Sequence, residues 1–171
     1  MSMSSAAIST FEITLGALSK LLDKAETYCA GKKVDPNVVL GYRLAPDMFA
    51  LTRQIQIACD QAKNGSARLA GIDPPKFEDN EKTIPELKER IAKTLAFVKG
   101  VDRKAIDASA DRPITFPLGP KKGEMKGADY FNHFVLPNFY FHAATAYGLM
   151  RHAGLEIGKQ DFLAGIPIKI T

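Results

Sequence analysis

Asn138, His142 and Thr145 follow one another at steps of four and three near the end of the chain, with Leu149 next in the series. At 3.6 residues per turn this spacing stacks four side chains on one face of a helix. Phe134, Val135 and Phe141 flank the row, so its polar groups are expected to face the interior. A buried polar group without a partner costs about 1–3 kcal/mol, which makes the row either a satisfied network or a site. His142 is its most versatile member, because an imidazole titrates near neutrality and can act as a base or a metal ligand. Asn138 lies about 40° around the helix from it and can orient the ring or a bound molecule.

Two residues of an earlier apolar segment complete the candidate set. Asp47 follows Pro46 at the expected start of a helix, where a carboxylate complements the helix dipole. Gln54 lies two turns further on, beside Leu51, and can point inward. Asp47, Gln54, Asn138, His142 and Thr145 are therefore the candidate ligand-binding residues. Only His142 and Asp47 are good ligands for a divalent metal, since side-chain amides bind zinc poorly. One imidazole and one carboxylate suit a loosely held divalent ion better than tight zinc. No other cofactor is expected. His133 lies nine residues before His142, half a turn out of phase, and His152 is almost three turns away along the axis.

Four helical segments must position these residues. Phe11, Leu15, Leu18, Leu22 and Ala25 mark a helix from about Ser5 to Tyr28. Met48, Leu51, Ile55, Ala58 and Ala62 mark a second, running from Pro46 to about Leu69. Thr83-Ile-Pro-Glu86 is a capping-box pattern opening a third, with Ile84, Leu87, Ile91, Leu95 and Val98 as its stripe. The fourth runs from about Asp129 to Gly154, and Pro137 inside it predicts a kink or a restart. Between the third and fourth, Ile114, Phe116 and Leu118 alternate ahead of a Gly-Pro-Lys stretch. Residues 112–127 are thus expected to be a long cross-over with a short β-hairpin. Glu78, Asp79 and Glu81 read as a solvated acidic loop. The expected fold is an all-α four-helix bundle in one domain, residues 1–171.

Basic and acidic residues are interleaved, with a net charge of +4 that forms no clustered stripe, so a nucleic-acid partner is not expected. No apolar run is long enough for a membrane span. Cys29 and Cys59 lack metal-finger or redox spacing and read as buried thiols. Together with the absence of a secretory signal pattern, they predict a cytoplasmic protein. Ile8, Leu21, Phe49, Ile57, Phe97 and Phe139 fall outside the helix stripes, more apolar surface than one small chain is expected to hide, and predict a homodimer.

The block in which His142 precedes Gly154 by twelve residues, with Arg151 between them, resembles the last core helix of the DinB/YfiT-like superfamily. That resemblance implies a four-helix bundle. In many members it also implies a metal centre made by one His on the second helix and an HxxxH pair on a later one. In this chain Asn138 stands four residues before His142, and the second segment contains no His. Four strings resemble more closely a domain-of-unknown-function branch of that superfamily. They are Arg43-Leu-Ala-Pro-Asp-Met-Phe49 with Gln54, Arg68-Leu-Ala-Gly71, Pro137-Asn-Phe-Tyr-Phe-His142 and Gly158-Lys-Gln-Asp-Phe-Leu163. The expected function is a small-ligand-binding or interaction module with an incomplete metal site. The alternatives are a divalent-metal-dependent enzyme of thiol transferase or hydrolase type using His142 and Asp47, and a structural dimer.

Overall fold

Four long helices carry the structure: α1 (Met3–Lys32), α3 (Leu51–Ala70), α4 (Ile84–Gly100) and α7 (Leu136–His152). Short helices α2 (Pro36–Leu40), α5 (Arg103–Asp107), α6 (Gly127–Asp129) and α8 (Lys159–Phe162) serve the connections. This is a computed structural model and describes residues 2–169. Among the described residues, no helix is long and apolar enough to cross a membrane.

The stripes fall where periodicity puts them. Phe11, Leu15, Leu18, Leu22 and Ala25 are buried on α1, and Leu51, Ile55, Ala58 and Ala62 on α3. Ile84, Leu87, Ile91 and Val98 fill the inner face of α4. The capping box forms: the Thr83 hydroxyl accepts from the Glu86 N–H, and the Glu86 carboxylate accepts from the Thr83 N–H at 2.9 Å.

Cross-helix contacts give the directions. Asp23 meets Lys88 and Glu12 meets Lys99, so α4 runs antiparallel to α1. Phe11 packs on Phe139 and Tyr28 bonds the Ala153 carbonyl, so α7 runs parallel to α1. Gln54 faces His142 and Arg68 faces Tyr130, so α3 is antiparallel to α7. Helices α3 and α4 therefore run the same way. Their link cannot be a tight turn, and residues 72–83 travel back along the length of α3. The bundle has two long connections, not the single one expected from sequence.

The expectation of a solvated acidic loop is corrected with it. Arg90, 3% exposed, sends its guanidinium to Asp60 (3.0 Å), Asp79 (2.9 Å), Glu81 (2.9 Å) and the Glu78 carbonyl (3.0 Å). Lys63 donates to the Pro75 carbonyl at 2.7 Å and lies 3.2 Å from Asp60. Arg53 pairs with Asp79, and Gln56 donates to Glu81 at 2.8 Å. Glu78 alone meets the expectation, being well exposed beside Lys76.

The second connection contains the expected hairpin. Strands β1 (Pro113–Leu118) and β2 (Lys121–Lys126) pair antiparallel, with Phe116 opposite Gly123. A Cβ at Gly123 would lie 2.9 Å from the Phe116 ring, so glycine lets that ring cross the ladder. Phe116 then packs on Tyr130 and Phe134, with centroids 4.9 and 4.4 Å away. Those two residues lie in a π-helical segment, Tyr130–Val135, directly before α7. The Leu136 N–H reaches the Phe131 carbonyl, a five-residue step. The irregularity expected from Pro137, which has no N–H to donate, takes this form.

Part of the premise for a homodimer does not hold. Ile8, Leu21 and Phe139 are buried inside the single chain, Phe139 edge-on to Phe11 at 4.9 Å. Phe49 alone of the six is strongly exposed, at 53%.

Arg90→Ala would leave three carboxylates without their shared cation. Breaking a buried pair from one side is expected to cost about 3–5 kcal/mol, measured by urea unfolding. A loss below about 1 kcal/mol, typical of a surface pair, would contradict the role assigned to Arg90.

Candidate functional site

Antiparallel α3 and α7 bring Gln54 against His142, 88 positions apart in sequence. Gln54 is 1% exposed, and its Nε2 donates to the Phe49 carbonyl at 3.1 Å. That bond turns Oε1 toward the imidazole, where it lies 2.6 Å from Nδ1. An amide oxygen can only accept, so Nδ1 carries the proton. Burial, and then the positive charge of Arg53, hold the His142 pKa below its ordinary 6.5. The ring is therefore neutral at pH 7, and Nε2 presents a bare lone pair. Such a nitrogen can accept a hydrogen bond, take a proton or ligate a metal.

The rest of the polar row lies elsewhere than expected. The core stripe of α7 is Phe139, Ala143, Ala146, Leu149 and Met150, so Leu149 of the expected row is buried while its polar members fall one residue short of the stripe. Asn138, His142 and Thr145 occupy its half-buried edge. Asn138 Nδ2 donates to the Phe134 carbonyl at 2.7 Å, and Thr145 Oγ1 to the Phe141 carbonyl at 2.6 Å. Each closes a bond within its own helix, so neither demands a ligand. Phe141, expected beside a buried row, is 56% exposed and sets its ring edge-on to His142 at 5.2 Å.

Asp47 is not in the first turn of a helix. Helix α3 begins at Leu51, and Asp47 sits exposed in a turn closed by the Met48 N–H on the Ala45 carbonyl at 3.0 Å. Pro46 occupies the second position of that turn, which its fixed φ suits as well as it suits a helix start. Among the described residues Asp47 makes no hydrogen bond or ion pair with His142. His133 is exposed near Asp129 at 3.9 Å, and His152 packs edge-on to Tyr42. The three histidines do not converge.

The donor set does not fit the tight metal centre implied by the family resemblance. Gln54 Oε1 is engaged by Nδ1, Asn138 Nδ2 is a donor, and His142 Nε2 is the one good ligand. Among the described residues no three His, Cys, Asp or Glu side chains gather to hold an ion. Nor is a thiol poised: burial pushes Cys59 up to about 12 and raises Cys29, with Asp35 adding to the shift.

A cleft of about 720 Å³ opens at the same end of the bundle, between Arg43, Phe49, Arg53 and Lys82. Arg53 and Lys82 lie outside the five candidate residues Asp47, Gln54, Asn138, His142 and Thr145. Arg53 adjoins Gln54 in the chain, and that adjacency was the available signal.

These features define a DinB-like helical bundle with a polar pair between α3 and α7. The model of the Domain of unknown function (DUF1993) matches residues 3–163, and the chain belongs to that family. It is similar to the crystal structure of a DinB family member protein from Shewanella denitrificans, at 41% identity and a TM-score of 0.89. The match covers 96% of this chain and 93% of that one. No curated protein matches the chain.

The depressed His142 pKa sets a pH dependence. Below 6.5 the unfolded imidazole binds a proton more readily than the folded one. The contribution to stability is thus complete above 6.5, falls as pH drops toward the folded pKa, and levels off below it. An NMR titration of His142 should give a pKa below 6.5. His142→Gln should flatten stability against pH in that window, and an unchanged slope would contradict the assignment.

Proposed function

We propose that this chain is a small-ligand-binding module, a DinB-like bundle whose interhelical site recognises a molecule through the His142 lone pair. The observation that supports it best is the 2.6 Å contact between Gln54 and His142 Nδ1, which directs Nε2 outward as a fixed acceptor. Exposed Phe141 sets its ring edge-on to the imidazole at 5.2 Å and gives the pair an apolar flank, the usual surround of a few placed polar groups in a ligand site. The buried thiols favour a reducing, cytoplasmic setting. The divalent-metal enzyme using His142 and Asp47 is less well supported, because Asp47 is exposed on its turn and makes no bond to the imidazole. A loosely bound divalent ion at Nε2 remains compatible with the proposal. Self-association is a second reading, favoured by Phe49 and Phe141 at 53% and 56% exposure; light scattering giving one chain of 18.7 kDa would end it.

The test is a screen of small aromatic alcohols and phenols by NMR. Binders should shift the His142 and Gln54 signals, and His142→Leu should abolish the effect while circular dichroism is unchanged. Stoichiometric zinc that survives dialysis against a mild chelator, and is lost in His142→Ala, would contradict the proposal and favour the enzyme.

A further inference from the structure

The cleft of about 720 Å³ beside the α3 start is not lined by His142, and its chemistry is different. Two carboxylates border it, Asp79 and Glu81, and both are already committed. Asp79 is held by Arg53 and Arg90, and Glu81 by Arg90 and Gln56. In that network Arg53, Lys63 and Arg90 balance Asp60, Asp79 and Glu81, three charges against three. Two further cations line the cleft, Arg43 and Lys82. Among the described residues neither makes an ion pair and both are exposed, though Glu86, whose carboxylate accepts from the Lys82 backbone N–H at 2.7 Å, lies close enough to feel the Lys82 charge. Arg43 spends one nitrogen on the Met48 carbonyl at 2.9 Å, leaving the rest of its fork free.

One wall of the cleft is apolar. Phe49 is 53% exposed, and the Arg53 guanidinium lies over its ring at 5.9 Å. Ala50, the N-cap of α3, lies on the same cleft and provides no side-chain cap. The positive end of the α3 dipole adds to the field of the two free cations. A cleft with surplus positive charge, forked donors and a flat apolar wall matches an anion attached to a flat apolar body.

We propose that this cleft is a binding site for a small aryl anion, its carboxylate or phosphate between Arg43 and Lys82 and its ring against Phe49. The site is distinct from the Gln54–His142 pair and does not need it.

Calorimetric titration tests the assignment with phenyl phosphate, benzoate, benzyl alcohol and inorganic phosphate as probes. At least one aryl anion should bind, and in the His142→Leu protein, where the interhelical site is removed, benzyl alcohol and inorganic phosphate should each bind about tenfold or more weaker than it. Lys82→Glu reverses a charge that makes no ion pair and should weaken the aryl anion by about tenfold or more, with urea unfolding controlling for the neighbouring Glu86 cap. Arg43→Ala should weaken it too, with circular dichroism controlling for the turn that Arg43 braces. Rising salt should weaken binding in the wild type. His142→Leu should leave the affinity unchanged, which separates this cleft from the interhelical site. No aryl-anion binding at millimolar concentration, equal binding of benzyl alcohol or inorganic phosphate in His142→Leu, indifference to Lys82→Glu, or loss of aryl-anion binding in His142→Leu would each overturn the proposal.

Discussion

Arg90 imposes the constraint on which the arrangement of the bundle depends. Neighbouring helices α3 and α4 run the same way, so the chain must return along α3 before α4 can begin. Residues 72–83 make that journey without a strand ladder and with no residue fully buried, so side chains of α3 and α4 must fasten them to the bundle. Arg90 donates to the Glu78 carbonyl and Lys63 to the Pro75 carbonyl, at 3.0 and 2.7 Å. Burying those cations is costly unless anions accompany them. Asp60, Asp79 and Glu81 meet that need, two of them contributed by the returning segment itself.

The same network reaches the site. Asp79 holds Arg53, and the charge of Arg53 helps keep His142 neutral. The returning segment also brings Lys82 to the cleft wall. A device that secures the topology therefore also sets the electrostatics of the bundle end. On the opposite side, the β-hairpin packs Phe116 on the π segment, and that segment delivers α7 in its observed phase. The phase decides which residues meet α3: Phe139 and Ala143 go to the core, and His142 goes to its edge, within reach of Gln54.

Much of the fold was legible in the sequence because apolar spacing records burial directly. The stripes of α1, α3 and α4 and the Thr83–Glu86 box are local patterns with one reading. The hairpin was legible from the alternation of Ile114 and Phe116. Helix α7 was harder, because Phe139, Tyr140 and Phe141 follow one another and present apolar surface on every side. Periodicity then fails to choose between faces, and Asn138, His142 and Thr145 lie one residue out of phase with the core stripe. Pro46 was ambiguous for another reason: a fixed φ suits a turn and a helix start equally, and the turn removed Asp47 from the site. Pairing of Asp79 and Glu81 with Arg90 depends on a parallel arrangement that no local pattern encodes. Arg90 and Thr94 on the Leu87–Ile91–Val98 face were the visible anomaly. Of the five candidate residues, the structure joins Gln54 and His142 directly.

That pair carries the functional account, and its chemistry reduces to the position of one proton. Gln54 presents an oxygen to Nδ1, which forces the hydrogen onto that nitrogen and leaves Nε2 bare. Nitrogen-15 NMR of the His142 ring at pH 7 reads this directly. The account predicts a neutral ring with a protonated Nδ1 and an unprotonated Nε2, and a loss of that tautomer preference in Gln54→Leu. A proton on Nε2, or a charged imidazolium at pH 7, would contradict it.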